Sequence, residues 1–212
     1  MLLQNIVGQP NAASANTMLS GRAGQLGDAI VSELHGRYYE TTYRGNSFLL
    51  SVSTAAAVTA YSGGAAGTPM LAVFNPVASG KNVVLNKASI GNVVAASGAG
   101  TVSFGLWFGT TAAITQATTV TPWSMSTQAQ AGSVATGFRN VALTSGSAAN
   151  NVIPIASYYW ATAAGAALVT SGPVDLDGAV IIPPGGYCAL GGSAALTSAT
   201  WIGSLQWEEV PV

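Results

Sequence analysis

Ala199-Thr200-Trp201-Ile202-Gly203-Ser204-Leu205-Gln206-Trp207-Glu208-Glu209 is the stretch on which the reading of the fold turns. Trp201, Leu205 and Trp207 fall on one side of an extended chain, and Ser204, Gln206 and Glu208 fall on the other. A period of two marks a strand with one buried face. Working back from it, the same enrichment in Val, Ile, Thr and aromatics recurs at residues 47–53, 70–74, 82–94, 101–108, 118–123, 138–143, 152–162, 179–183 and 186–191. Such residues suit a pleated, half-buried surface. Turn-forming clusters separate the segments: Ser62-Gly63-Gly64, Asn75-Pro76, Ser79-Gly80, Ser97-Gly98, Asp177-Gly178 and Pro183-Pro184-Gly185-Gly186. No helical pattern of ten or more residues interrupts them. This predicts an all-β body over residues 46–212, a jelly-roll-like antiparallel β-sandwich rather than a small barrel. No repeat of fixed period is present, which disfavours propellers and solenoids.

Outward from the body, charge is the unusual property. Asp, Glu, Lys and Arg make up 6% of the chain, against about 25% in ordinary soluble domains. Hydrophobic residues make up 49%, so the composition is not that of a disordered chain. A surface of Ser, Thr, Asn, Gly and Ala is cheap to bury against a neighbour, far cheaper than ions. Long strand edges with few charges also invite pairing, and coverage by partner subunits would protect them. The expectation is a subunit of a larger assembly. The net charge of −1 lacks the basic footprint of a nucleic-acid binder. Every apolar run is broken within about ten residues, too soon for a membrane span of roughly 20. Met1-Leu2-Leu3-Gln4-Asn5 lacks the basic segment of a secretory leader.

The charges are unevenly placed. Arg22, Asp28, Glu33, Arg37, Glu40 and Arg44 crowd residues 22–44, whereas Gly45 to Val174 holds only Lys81, Lys87 and Arg139. The shift divides the chain into an N-terminal arm, residues 1–45, and the body. Within the arm, residues 28–35 fit a short helix capped by Asp28 and ended by Gly36. Ile30-Val31 fits the start of a strand equally well. Tyr38, Tyr39 and Tyr43 read as extended.

Residues with catalytic or ligating chemistry each have a plainer reading. His35 is the only histidine, and no Gly-x-Ser-x-Gly elbow accompanies it. Asp175-Leu176-Asp177-Gly178 resembles part of a calcium loop or an acidic sugar-transferase motif, but a calcium site needs six to eight oxygen ligands; an Asp-Gly turn is the simpler reading. Glu208 and Glu209 are adjacent, so on a strand they point to opposite faces, unlike a glycosidase pair. One of them is expected to cap the strand or pair with Lys or Arg. Cys188 lies in an apolar strand and reads as a small core residue. The glycines at Gly63-Gly64 and Gly185-Gly186 read as hairpin turns rather than phosphate loops. Trp107, Trp160, Trp201 and Trp207 sit in strand patterns and are assigned to packing. Trp123, after Thr121-Pro122, is the tryptophan expected at the surface, where a glycan could stack on it. No catalytic residue, cofactor or metal is expected, and the chain is not expected to be an enzyme.

Three segments carry a family resemblance. They are Val31-Ser32-Glu33-Leu34-His35-Gly36-Arg37-Tyr38-Tyr39 with Tyr43-Arg44-Gly45-Asn46; Phe74-Asn75-Pro76 with Ser79-Gly80-Lys81-Asn82; and Pro183-Pro184-Gly185-Gly186-Tyr187 with Leu205-Gln206-Trp207-Glu208-Glu209-Val210-Pro211. From about residue 25 to the C-terminus the chain resembles a family of tailed-bacteriophage virion proteins whose role is capsid decoration, or cementing. The resemblance implies a jelly-roll homotrimer on the capsid surface, made in the host bacterial cytoplasm and bound to the major capsid protein. A fibre, collar or tail component with a glycan- or receptor-binding sandwich is the alternative. Partner contacts are expected from the arm: Glu33, His35, Arg37, Tyr38, Tyr39, Tyr43 and Arg44. Arginine forks suit carboxylates, and tyrosines are enriched at interfaces.

Overall fold

The computed structural model describes residues 5–6, 21–22, 36–52, 69–94, 100–110, 119–139, 152–160, 173–193 and 199–212. The chain divides into two units, Met1–Tyr39 and Glu40–Val212. In the first, β1 (Asn5–Ile6) and β2 (Gly21–Arg22) form a parallel pair, with Asn5 opposite Gly21. The segment 28–35, read as helix or strand, lies outside the described residues.

The tyrosine stretch read as extended is helical instead. Tyr39–Tyr43 forms a short helix, α1. Local chemistry explains it. The Tyr39 amide donates to the Gly36 carbonyl at 2.9 Å, and Glu40 pairs with Arg44 one turn later. Gly45, at φ 74°, then ends the helix. The Asn46 amide reaches back to Thr41 and the Gly45 amide to Thr42, both at 3.0 Å. These two bonds make a Schellman stop, which requires a residue in the left-handed region.

Ten strands follow. They are β3 (Ser47–Ser51), β4 (Leu71–Phe74), β5 (Lys81–Val94), β6 (Gly100–Thr110), β7 (Trp123–Ser124), β8 (Thr136–Arg139), β9 (Val152–Trp160), β10 (Val174–Ile182), β11 (Gly186–Gly192) and β12 (Thr200–Pro211). They form two five-stranded antiparallel sheets, ordered β10-β5-β12-β3-β7 and β8-β4-β11-β6-β9. Apart from β9, which shares a sheet with β8, each strand after β3 lies in the opposite sheet from the strand before it. The turn at Pro183–Gly185 is therefore not the hairpin expected from sequence; it carries the chain from β10 in the first sheet to β11 in the second. Asn75–Gly80 likewise joins β4 to β5 across the sandwich. Gly63-Gly64, also read as a hairpin turn, lies outside the described residues.

The inner faces supply the core. Phe48 and Leu50 of β3, Leu85 and Ile90 of β5, and Trp201, Leu205 and Trp207 of β12 meet Val73, Phe104, Leu106 and Leu190 of the other sheet. The Trp201 ring lies 4.5 Å from Phe104 at a tilt of 58°, a geometry worth roughly 0.5–1.5 kcal/mol beyond area burial. Long β5 shifts register against β12 twice, near Val93 and at Asn86. Leu205 opposes Ala88 and Trp207 opposes Leu85, so one extra residue of β5 is accommodated. Asn86, at that bulge, is buried. In β10 the register jumps between Asp175 and Val180. Asp177 and Gly178 there have φ of 52° and 77°, the two left-handed residues of a tight turn. The Asp-Gly turn is thus embedded inside the strand, which begins at Val174 rather than at residue 179.

The second sheet is also apolar on its outer face. Ala72, Phe74, Phe138, Tyr187 and Ala189 form a separate buried cluster. Trp107 is buried as well; its partner across the ladder is Ala189. Gly109 leaves room for Tyr187, whose ring would stand 2.5 Å from any added Cβ. Trp160 lies on β9, with its side chain outside the described residues.

The sheet edges carry their own protection, contrary to the expectation that they need partners for it. β7 has two residues and β8 four. Arg139 of β8 opposes the inward-facing Leu71, β9 contains Pro154, and β10 contains the Asp-Gly bulge. Shortness, an inward charge, proline and a bulge each discourage edge pairing.

Candidate partner interface

Of the predicted partner-binding residues, Glu33 and His35 lie outside the described residues. Arg37 places its guanidinium carbon 5.6 Å from the centre of the Tyr38 ring, within cation–π range. Tyr39 and Tyr43 sit at i, i+4 on α1, and both are exposed, Tyr43 by 73%. The Arg44 Nε donates to Glu40 Oε1 at 2.6 Å. Both side chains are about two-thirds exposed, so the pair is worth at most a few tenths of a kcal/mol.

Several turn and strand-end segments that are far apart in sequence converge at one end of the sandwich. β3 starts there, and β12 ends there beside it, the Glu209 amide donating to the Asn46 carbonyl at 2.9 Å. Asn75 is fully buried at the same end. Its Nδ2 donates to the carbonyls of Lys81 (2.8 Å) and Ile182 (2.9 Å). Its backbone bonds Gly185 and Gly186. One amide therefore holds the β4–β5 and β10–β11 crossings together. Gly80, at φ 65°, turns the chain into β5, and its carbonyl accepts the Val212 amide. These segments, dispersed in sequence, form one structural corner.

Glu209 secures the corner from inside. It is 1% exposed, and the half-exposed Glu208 points the other way, as adjacency on a strand requires. Its carboxylate accepts from the Ser133 hydroxyl at 2.6 Å and the Val134 amide at 3.0 Å. Lys81 Nζ lies 3.2 Å away. The expected pairing with a cation is present; Ser133 and Val134 carry no sequence signal that marks them as partners. The anchored segment, residues 119–139, adds β7 to one sheet and β8 to the other and bridges itself through Val120 and Gly137.

Around this corner apolar side chains face solvent. Val77 is 61% exposed, Ile181 57% and Val212 80%, with Val210 beside them at 41%. Asn46, where the N-terminal segment joins β3, belongs to the same end. Elsewhere, Trp123 is 40% exposed, as expected. Asp175 pairs with Lys87 at 3.2 Å, and Cys188 is fully buried, its thiol pushed well up by desolvation. Such a thiol is not a nucleophile at neutral pH. Among the described residues no group of three or more His, Cys, Asp or Glu comes together, and no helix is long and apolar enough to cross a membrane.

The comparisons with known proteins add no relative. No family model matches the chain, and neither a curated protein nor a solved structure matches it.

Proposed function

We propose that this chain is a capsid decoration protein of a tailed bacteriophage, a jelly roll that binds the major capsid protein on the outer shell and reinforces the head by bridging capsomers. The observation that carries the reading is the apolar rim of Val77, Ile181, Val210 and Val212 at the end where the N-terminal segment enters the body. Exposed apolar groups gathered at one place mark interaction surfaces. An almost uncharged body lowers the desolvation cost of close packing around them. The mechanism is adhesive: buried area and arm contacts, with no turnover.

The jelly-roll reading rests on the strand pairs. With β7 and β8 set aside, the first strand pairs with the last (β3·β12), the second with the next to last (β4·β11), then β5·β10 and β6·β9. This order of pairing supports reading the body as a long antiparallel ribbon rolled on itself, the plan of two joined Greek keys. Because the edges are protected internally, we assign subunit association, as a homotrimer, to the corner and the arm.

The test is copy number and location in purified particles, by quantitative gel and electron cryomicroscopy. Hundreds of copies on the head are expected; a dozen or fewer at the vertex or tail would overturn the decoration reading. Deleting residues 1–45 should abolish particle binding and leave the body folded. A truncated chain that binds normally would remove the arm from the mechanism.

A further inference from the structure

The two sheets differ on their outer faces. The second buries an apolar cluster, whereas the first presents Trp123, Lys87 and Asp175 to solvent, with Ile181 and Ile202 also exposed. Its register aligns one residue from each of five strands: Trp123 opposite Leu49, Leu49 opposite Gln206, Gln206 opposite Lys87, and Lys87 opposite Asp175. All belong to the outer face, since their strand neighbours Ser124, Leu50, Leu205, Ala88 and Val174 are buried or half-buried toward the core. At the ordinary strand spacing the row spans about 19 Å.

Its chemistry is graded along that length. One end is the exposed indole of Trp123 with half-buried Leu49 beside it. In the centre is the amide of the partly exposed Gln206. The other end is the Lys87–Asp175 pair, with Asp175 55% exposed. A parallel row of hydroxyls lies alongside, Ser51–Ser204–Ser89, with Ser204 and Ser89 joined at 2.6 Å. These serines line a depression of about 310 Å³ together with Ile202 and Pro173.

From this arrangement we infer that the outer face of the first sheet binds a neutral oligosaccharide, laid across the strands along the Trp123–Gln206–Asp175 row. The indole offers an apolar face for stacking a sugar ring. The amide, the ion pair and the hydroxyls offer donors and acceptors to sugar hydroxyls. A second copy of the chain fits this face less well. Protein interface cores are depleted of Lys and Asp, and covering the row would desolvate the Lys87–Asp175 pair. A sugar hydroxyl can replace the water that pair loses. The inference is independent of the decoration reading, because a head-bound or a tail-bound subunit can carry the face.

The test is calorimetric titration of the full chain with maltohexaose, cellohexaose and chitohexaose, each to about 10 mM, a range that reaches weak millimolar affinities. At least one is expected to bind. Trp123→Ala and Gln206→Ala should each weaken that ligand roughly tenfold. Trp123→Phe, which keeps an aromatic face, should retain most of the affinity. The solution mass of every variant should stay that of the wild type. No binding by any of the three sugars, or binding that both alanine variants leave intact, would overturn the inference. A fall in solution mass with Trp123→Ala would also overturn it and assign the face to a second copy. Particle copy number has no bearing on any of these outcomes, so the two readings fail separately.

Discussion

Glu209→Ala tests whether the corner is held from inside as described. The substitution removes the acceptor for Ser133 Oγ and the Val134 amide and leaves Lys81, 29% exposed, without its counter-charge. Breaking a buried ion pair by deleting one partner costs about 3–5 kcal/mol. Lys81 can turn toward water, so the lower end applies, about 3 kcal/mol. For a domain of this size that is a fall in Tm of roughly 6–12 °C. Glu209→Gln keeps one oxygen for Ser133 and Val134 and loses the ion pair and the second, 3.2 Å bond from the Val134 amide, so it should cost less than the alanine variant, about 1–2 kcal/mol. Urea unfolding gives the two free energies. Amide hydrogen exchange localises them: the Val134 and Ala135 amides should exchange faster in Glu209→Ala, while the Leu205 and Trp207 amides follow global stability. An alanine variant within about 1 kcal/mol of wild type would refute the reasoning, since the buried donors would then have found other partners. Unchanged protection at Val134 would refute it equally.

The remaining predictions concern packing. Cys188 should resist alkylation in the folded protein from pH 7 to 9, because burial raises its thiol and excludes reagent, and should react fully in denaturant; a thiol titrated under native conditions would contradict the core position. Gly109→Ala puts a methyl 2.5 Å from the Tyr187 ring and should destabilise by about 1–3 kcal/mol through overpacking, measured by urea midpoint. Gly178→Val combines a β-branched residue at φ 77° with a close approach to Val84. It should cost at least about 1 kcal/mol, whereas Asp177→Gly should cost little.

The corner explains why its residues carried no mechanism when read in sequence. Asn75, Gly80, Gly185 and Glu209 look like turn residues and a strand end. Their task is to tie chain crossings that are far apart in the sequence, as the Asn75 bond to Ile182 does. The exposed row on the first sheet was equally hidden. Trp123 was the residue expected at the surface, but Gln206, Lys87 and Asp175 became its neighbours only through strand order.

By itself, the sequence determined that the body is all-β, roughly where most of its strands lie and which side of the last one is buried; residues 118–123, read as a strand, meet β7 only at Trp123. Alternation is a property of neighbouring residues, and Trp201, Leu205 and Trp207 declare their face before any partner is known. Local order also determined that Glu208 and Glu209 face opposite ways, that Cys188 is core and that Asp177-Gly178 turns. Only the tertiary structure decided which sheet each strand joins, that Pro183–Gly185 crosses between sheets, and that the Asp-Gly turn is a bulge within β10. It likewise decided that Tyr39–Tyr43 is helical, through the Gly36 and Asn46 bonds that close its two ends. Strand pairing depends on hydrogen bonds and buried area between segments far apart in the chain. The period of a single strand holds no record of its neighbours.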